Sequence, residues 1–272
     1  MVEEKDTMIL VNPQWQGGGD PVTYHGVKEF EGIYLSEHGF VEVPIDLDAA
    51  LETRHGIIGY DAIKTQMARA FQLLTHQNVS RIFAVGGGCD ADVPVIAYLN
   101  ERYEGKLLVL WCDAHGDLNA PEESKTGLFY GMPARVLMGE SGLFTDVIRR
   151  PLSPRQFIHI GGRDFDEAEK RFIARSNLTC YPDITAEKVR EILAGETRYL
   201  YVHLDLDVLS PDAFPNTPLP VEGGMSKRAV LTLLEEVAGS PAFVGLGVYE
   251  YVPCGNRSEF IGTIVDLVIP KR

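Results

Sequence analysis

Asp113, His115 and Asp117 recur at every second residue in the stretch WCDAHGDLN, directly after the apolar run Leu107 to Leu110. A short apolar run bounded by turn formers reads as a buried strand, so these three residues fall where its carboxyl end passes into a loop. Alternation by two sends their side chains to one side, and two carboxylates with one imidazole form a set that suits a divalent metal ion. For such a triplet standing alone, a polar loop with a helix cap is the plainer reading. A second set changes the balance. In HLDLDVLSP, Asp205 and Asp207 follow the apolar part of the run Tyr199 to Leu204, with Leu206 between them. Two acids on one face repel each other, which costs stability unless a cation accompanies them. A third set is GGGCD, where the run Arg81 to Val85 enters Gly86, Gly87 and Gly88 and delivers Cys89 to the same kind of edge. Free cysteine is a common small core filler, yet a position straight after a glycine turn is seldom core.

These sets have to be carried by strands that end at one edge, and the rest of the chain supplies them. Short apolar runs alternate with amphipathic stretches, without repeats, low-complexity segments or linkers, a pattern that predicts a parallel sheet covered by helices on both faces. Strands are expected at Met8 to Val11, Gly39 to Val43, Arg81 to Val85, Leu107 to Leu110, Gln156 to Ile160, Thr179 to Pro182, Tyr199 to Leu204 and Phe243 to Tyr249, eight in all. Helical spacing is read over Val22 to Ser36, Ile57 to His76, Asp92 to Tyr103, Pro133 to Gly139, Glu167 to Arg175, Ala186 to Ala194, Ser226 to Val237 and Ser258 to Val268. Asp164 or Asp166 is positioned to cap the helix that starts at Glu167. The glycines of QGGGDP read as turn formers, because no phosphate-loop lysine or spaced dinucleotide fingerprint follows. Glu250 ends the last strand. Open parallel sheets place ligand chemistry at that carboxyl edge.

Composition bounds the partners. The chain has 272 residues, 45% of them hydrophobic and 24% charged, an ordinary globular balance that predicts one α/β domain over residues 1–272. A formal charge of -14 argues against nucleic acid or an anionic membrane surface as partner. The start, MVEEKDTMILVNP, lacks a basic region followed by a long apolar core, and nowhere do 18 apolar residues run together, so a cytoplasmic protein is expected. Cysteines at 89, 112, 180 and 254 are too few and scattered for a disulfide framework, and reduced thiols are expected.

Taken together, GGGCD, DAHGDLN, GGRDFD, HLDLDVLSP, YEYVP and the segment Thr126 to Pro133 resemble the ureohydrolases, the family of arginase, agmatinase and formimidoylglutamase. The resemblance implies a three-layer α/β/α sandwich on a central eight-stranded parallel sheet, with two Mn²⁺ ions at the carboxyl ends of the strands. One ion would be held by Cys89, Asp113, Asp117 and Asp205, the other by His115, Asp113, Asp205 and Asp207, with Asp113 and Asp205 bridging. The implied chemistry is attack of activated water on a guanidinium carbon, with Asp117 relaying a proton to the leaving amine and Glu250 orienting the planar guanidino group. Asn119 and Thr126 match contacts to a substrate α-carboxylate, and Asp166 matches the acid that reaches the α-amino group, which favours an α-amino acid over agmatine. A later threonine contact falls on Leu219.

Two departures narrow the expectation. Cys89 stands where the family usually has a histidine ligand, and thiolate suits Zn²⁺, Fe²⁺ or Co²⁺ better than Mn²⁺. Tyr130 stands where arginases have a histidine that shuttles a proton to the leaving amine; a phenol with an ordinary pKa near ~10 is poorly matched to that task. Both changes, and RDFDEAEKRFI, resemble the branch of amidinohydrolases that converts Nω-hydroxy-L-arginine to hydroxyurea and L-ornithine in D-cycloserine biosynthesis. That substrate is the expectation, with ordinary arginase, another ureohydrolase or a silent metal-binding homologue as alternatives. Arginase-type trimers use a tail beyond the last helix, and little more than Pro270, Lys271 and Arg272 follows Val268, so a monomer is expected.

Overall fold

The run LLVLWC is buried at all six positions, and Phe243 to Tyr249 at all seven, so neither can be an edge or a half-exposed strand. Strands buried on both faces belong in the middle of a parallel sheet, which is where a computed structural model describing residues 7–269 places them. Ten strands are described: β1 (Thr7–Asn12), β2 (Val41–Glu42), β3 (Thr53–Arg54), β4 (Ile57–Ile58), β5 (Arg81–Gly86), β6 (Leu107–Cys112), β7 (Phe157–Ile160), β8 (Thr179–Tyr181), β9 (Tyr199–Asp205) and β10 (Phe243–Tyr249). Eight of them form one sheet in the order β2-β1-β5-β10-β9-β6-β7-β8, and every neighbouring pair is parallel. After β5 the chain leaves a gap before β6, and β9 and β10 fill it last. The carboxyl ends of β5, β10, β9 and β6 are thereby brought side by side, the place where open parallel sheets gather ligand chemistry.

Alternation along β6 builds the two cores. Leu107, Val109 and Trp111 face α2 (Tyr60–Gln77) and α3 (Val93–Arg102), among Ile63, Met67, Phe71 and Ile96. Leu108, Leu110 and Cys112 face the opposite layer, where α1 (Val22–Phe30), α7 (Lys227–Ala238) and α8 (Glu259–Val268) contribute Val27, Phe30, Leu233, Ile261 and Val265. Each such buried aliphatic or aromatic side chain contributes about 1.5–3 kcal/mol. The three-layer sandwich on an eight-stranded parallel sheet is thus the observed architecture. Shorter helices α4 (Pro133–Leu137), α5 (Glu167–Ser176) and α6 (Ala186–Leu193) complete it.

Three elements differ from the sequence reading. The helix expected from Ile57 begins at Tyr60, because Gly59 takes a left-handed φ of 73° and Ile57–Ile58 pairs antiparallel with Thr53–Arg54. The helix expected over Val22 to Ser36 widens into a π-helical turn at Glu31–Leu35. The second strand shrinks to Val41–Glu42 at the sheet edge. Asp166, rather than Asp164, caps α5, accepting hydrogen bonds from the N–H groups of Ala168 and Glu169. Pro270, Lys271 and Arg272, on which the expected absence of a trimer-forming tail rests, and the start of the chain before Thr7 lie outside the described residues. No helix among the described residues is long and apolar enough to cross a membrane.

Candidate metal centre

Beyond the last ladder pair of β6, Asp113 continues the face of Trp111, and its carboxylate is fixed from two sides. The Trp111 Nε1–H donates to Asp113 Oδ2 at 3.1 Å, and the His115 N–H donates to Oδ1 at 2.7 Å. Asp205 and Asp207 end β9 in a tight turn in which the Asp207 N–H donates to Asp205 Oδ1 at 2.7 Å. Asp207 Oδ1 accepts from the Ala114 N–H at 3.0 Å, and Asp207 Oδ2 lies 2.8 Å from His115 Nδ1. Cys89 arrives from the end of β5, its Sγ 3.0 Å from Asp205 Oδ2 and 3.7 Å from Asp113 Oδ2. Asp117 and Glu250 reach the same place only through left-handed backbone, with φ of 55° and 60°. Such a conformation costs a non-glycine residue about 1 kcal/mol or more, and strain of this kind collects at functional sites.

The six residues expected to ligate metal are therefore brought together. Cys89, Asp113, Asp117 and His203 offer donor atoms that all lie within 4.8 Å of one another; so do Cys89, Asp205 and Glu250, and so do Asp113, His115 and Asp207. Five acids of this group, Asp113, Asp117, Asp205, Asp207 and Glu250, are buried. Burial first, and then repulsion between them, pushes the carboxyl groups of Asp117, Asp205 and Glu250 far above the usual range. Asp113 moves the other way, because contact with His115 outweighs its burial. Burial favours loss of the His115 proton, but Asp113 and Asp207 hold it well above the usual imidazole range. Asp117 Oδ2 and His203 Nε2 are buried without a hydrogen-bond partner. Crowded acids and orphaned donors of these types fit divalent cations.

The residues expected to touch substrate are placed less uniformly. Tyr130 and Glu250 line one cleft of about 60 Å³ with Gly18, Thr23 and Leu219. Burial and then the nearby Glu250 push the Tyr130 phenol above its usual pKa. Asn119 Oδ1 is buried without a partner, whereas Asp166 Oδ1 is already used by the α5 cap. The exposed Thr126 hydroxyl accepts from the Leu128 N–H at 3.2 Å, within its own loop.

Supporting residues went unassigned in the sequence. Glu169 closes a capping box with Asp166 and also accepts from the Leu118 N–H at 3.1 Å, so α5 props the loop that carries Asp117. Burial pushes Glu169 up to about 7 against those hydrogen bonds. Arg163 donates to the carbonyl oxygens of Asp207 and Val221, tying the segment after β9 to the loop after β7. The pattern Asp-x-x-Glu signals the capping box. Nothing local signals the reach of Glu169 to Leu118.

Acids gathered this deeply at the carboxyl edge of a parallel sheet mark the chain as an α/β metalloenzyme. A model of the Arginase family matches residues 22–263, and the chain belongs to that family. It is accordingly a metal-dependent hydrolase of guanidino-type C–N bonds, in a family that uses a dinuclear Mn²⁺ site. Arginase from Staphylococcus aureus strain MRSA252 is 28% identical over 233 residues, 80% of this chain and 77% of its own length. Among solved structures, arginase from Entamoeba histolytica in complex with L-ornithine superposes with a TM-score of 0.82 at 18% identity, covering 96% of each chain. Arginase from Bacillus subtilis gives 0.78 at 23% identity, covering 97% of each.

Proposed function

We propose that this chain is a single-domain amidinohydrolase that cleaves the guanidino C–N bond of an arginine-type amino acid, with Nω-hydroxy-L-arginine converted to hydroxyurea and L-ornithine in preference to L-arginine. The observation that carries the preference is Tyr130, a phenol pushed above its ordinary pKa by burial and Glu250 at the position where arginases hold an imidazole. Cys89, Asp113, Asp117 and Asp205 would hold one Mn²⁺, and His115, Asp113, Asp205 and Asp207 the other. Bound there, two divalent cations supply the charge that makes water nucleophilic near neutral pH.

The protein's own groups do the rest. Glu250, buried beside Tyr130 in the cleft, accepts N–H groups of the planar guanidino end and fixes its orientation. Asp117, crowded by burial and by Asp113, takes up a proton readily and passes it to the leaving amine. Asn119, donating through its side-chain N–H groups, and Thr126 bind the α-carboxylate, and Asp166 binds the α-amino group. Tyr130 keeps its proton near neutral pH and cannot relay one as an imidazole does. An N-hydroxy substituent makes the guanidino group less basic, so more of it is neutral and electrophilic, and the demand for a shuttle falls.

The test is a panel of Nω-hydroxy-L-arginine, L-arginine, agmatine and N-formimidoyl-L-glutamate with Mn²⁺-loaded protein, scored for hydroxyurea, urea and ornithine. A larger kcat/KM for L-arginine than for the hydroxylated substrate at saturating Mn²⁺ would replace this reading with an ordinary arginase.

A further inference from the structure

We infer that His203 is a metal ligand, its Nε2 supplying from β9 the imidazole that the residue after the glycine turn, Cys89, does not. This inference rests on the metal-centre reading of the cluster and is independent of which guanidino compound is cleaved.

Tyr201, His203 and Asp205 share one face of β9, so His203 lies one step beneath an acid of the centre. Its ring is fully buried and held flat between Trp111, with centroids 3.5 Å apart and planes 7° apart, and Tyr249, at 4.7 Å and 9°. Stacking on both faces fixes the plane of the imidazole. Its edge is fixed by Asp92, whose Oδ2 lies 2.8 Å from His203 Nδ1 and whose Oδ1 accepts the Tyr201 hydroxyl at 2.6 Å. A carboxylate only accepts, so with Oδ1 taken by the Tyr201 hydroxyl, Oδ2 takes the hydrogen of His203 Nδ1, the tautomer that leaves the lone pair on Nε2.

That lone pair has no hydrogen-bond partner. A ring nitrogen of His203, Cys89 Sγ and carboxylate oxygens of Asp113 and Asp117 all lie mutually within 4.8 Å, and Nε2 is the nitrogen that Asp92 leaves free. Buried polar atoms are satisfied as a rule, and the species that satisfies a nitrogen lone pair, a thiol and two carboxylates at once is a cation. The thiol proton leaves to solvent when the cation binds. An oxygen, nitrogen and sulfur donor set on this side favours Co²⁺ or Zn²⁺ relative to Mn²⁺, more so than carboxylates and imidazole alone.

The test loads wild-type protein with Co²⁺, measures cations bound per chain, and records ¹H NMR spectra of ¹⁵N-histidine-labelled samples. Two imidazole N–H resonances with large paramagnetic shifts are expected, one of them slow to exchange because the His203 Nδ1–H is buried against Asp92. His115→Ala should remove the other and leave the slow one. Asp92→Asn keeps the ring and should weaken the Cys89-side cation about 10- to 100-fold, as loss of a partner to a ligating imidazole does. Two bound cations with a single shifted imidazole would overturn the role of His203 alone. No bound cation would overturn the metal centre itself.

Discussion

At the scale of single residues, Tyr130 and Cys89 carry the proposed function's two departures from the arginase pattern, the first in proton movement and the second in metal preference at a proposed ligand position. Tyr130 shares its cleft with Glu250, so under the proposed function a residue there would act on the same guanidino end as Glu250. Replacing Tyr130 with histidine should therefore raise kcat/KM for L-arginine by about tenfold or more, up to the ~10²- to 10⁴-fold span of general acid catalysis, and change that for Nω-hydroxy-L-arginine much less. Steady-state kinetics on both substrates decide it, and an equal gain on the two would show that the phenol only blocks space. Cys89, 3.0 Å from Asp205 Oδ2, offers the soft donor of its cluster. Cys89→Ser should lower Zn²⁺ affinity more than Mn²⁺ affinity in competition titrations, since it exchanges sulfur for oxygen. A Zn²⁺ affinity unmoved by that change would remove the thiol from the metal.

At the scale of elements, two devices hold the centre, and each can be broken by one substitution. Tyr249 leans over Gly247, where an added Cβ would sit 2.5 Å from the Tyr249 ring and hydroxyl. Gly247→Ala must displace that ring and with it the stacked His203, so a loss of about 1–3 kcal/mol is expected, read as a lowered Tm, together with weaker Co²⁺ binding. In the second device, Glu169 accepts from the N–H groups of Asp166 and Leu118. Glu169→Ala leaves both donors unpaired; about 1–3 kcal/mol should be lost, with reduced kcat as the Asp117 loop shifts. Full activity in that variant would separate the loop from α5. These same contacts mark the limit of what sequence conveys. Asp113 and Asp205 were legible because each follows an apolar run, and Cys89 because it follows the glycine turn that ends one, and strand-end placement is a local property. His203 was not, since a histidine inside an apolar strand reads as core until its neighbours across the sheet are known. The contact from Glu169 spans 51 residues, and the insertion of β9 and β10 between β5 and β6 has no local signature at all. Ile57 and Ile58 continue the apolar spacing of α2, so only the left-handed Gly59 separates them from it.

At the scale of the whole molecule, a net charge of -14 includes five buried acids that fold against one another. Burial, then mutual repulsion, holds Asp117, Asp205 and Glu250 far above the range they have in the unfolded chain. Folding without cations therefore takes up protons, and the stability tied to those groups is complete below the ordinary carboxylate range and is lost as pH rises through their folded values. His115 has the same sign, because its folded value is also raised, by Asp113 and Asp207 against its burial. Asp113, lowered by His115 against its burial, has the opposite sign but acts only below the ordinary carboxylate range, so metal-free protein should become less stable from mildly acidic toward alkaline pH. Cations replace those protons, so their binding strengthens over the same interval. Stabilisation by Mn²⁺ should accordingly be larger at about pH 8 than at about pH 6, reaching about 2.7 kcal/mol for each cation present at about 100 times its Kd. Calorimetric scans with a chelator and with excess Mn²⁺ at the two pH values measure it. A Tm that a chelator leaves unchanged at both, or an Mn²⁺ shift that is larger at the lower pH, would mean that the acids are balanced by protein groups and that the centre does not depend on cations for its stability.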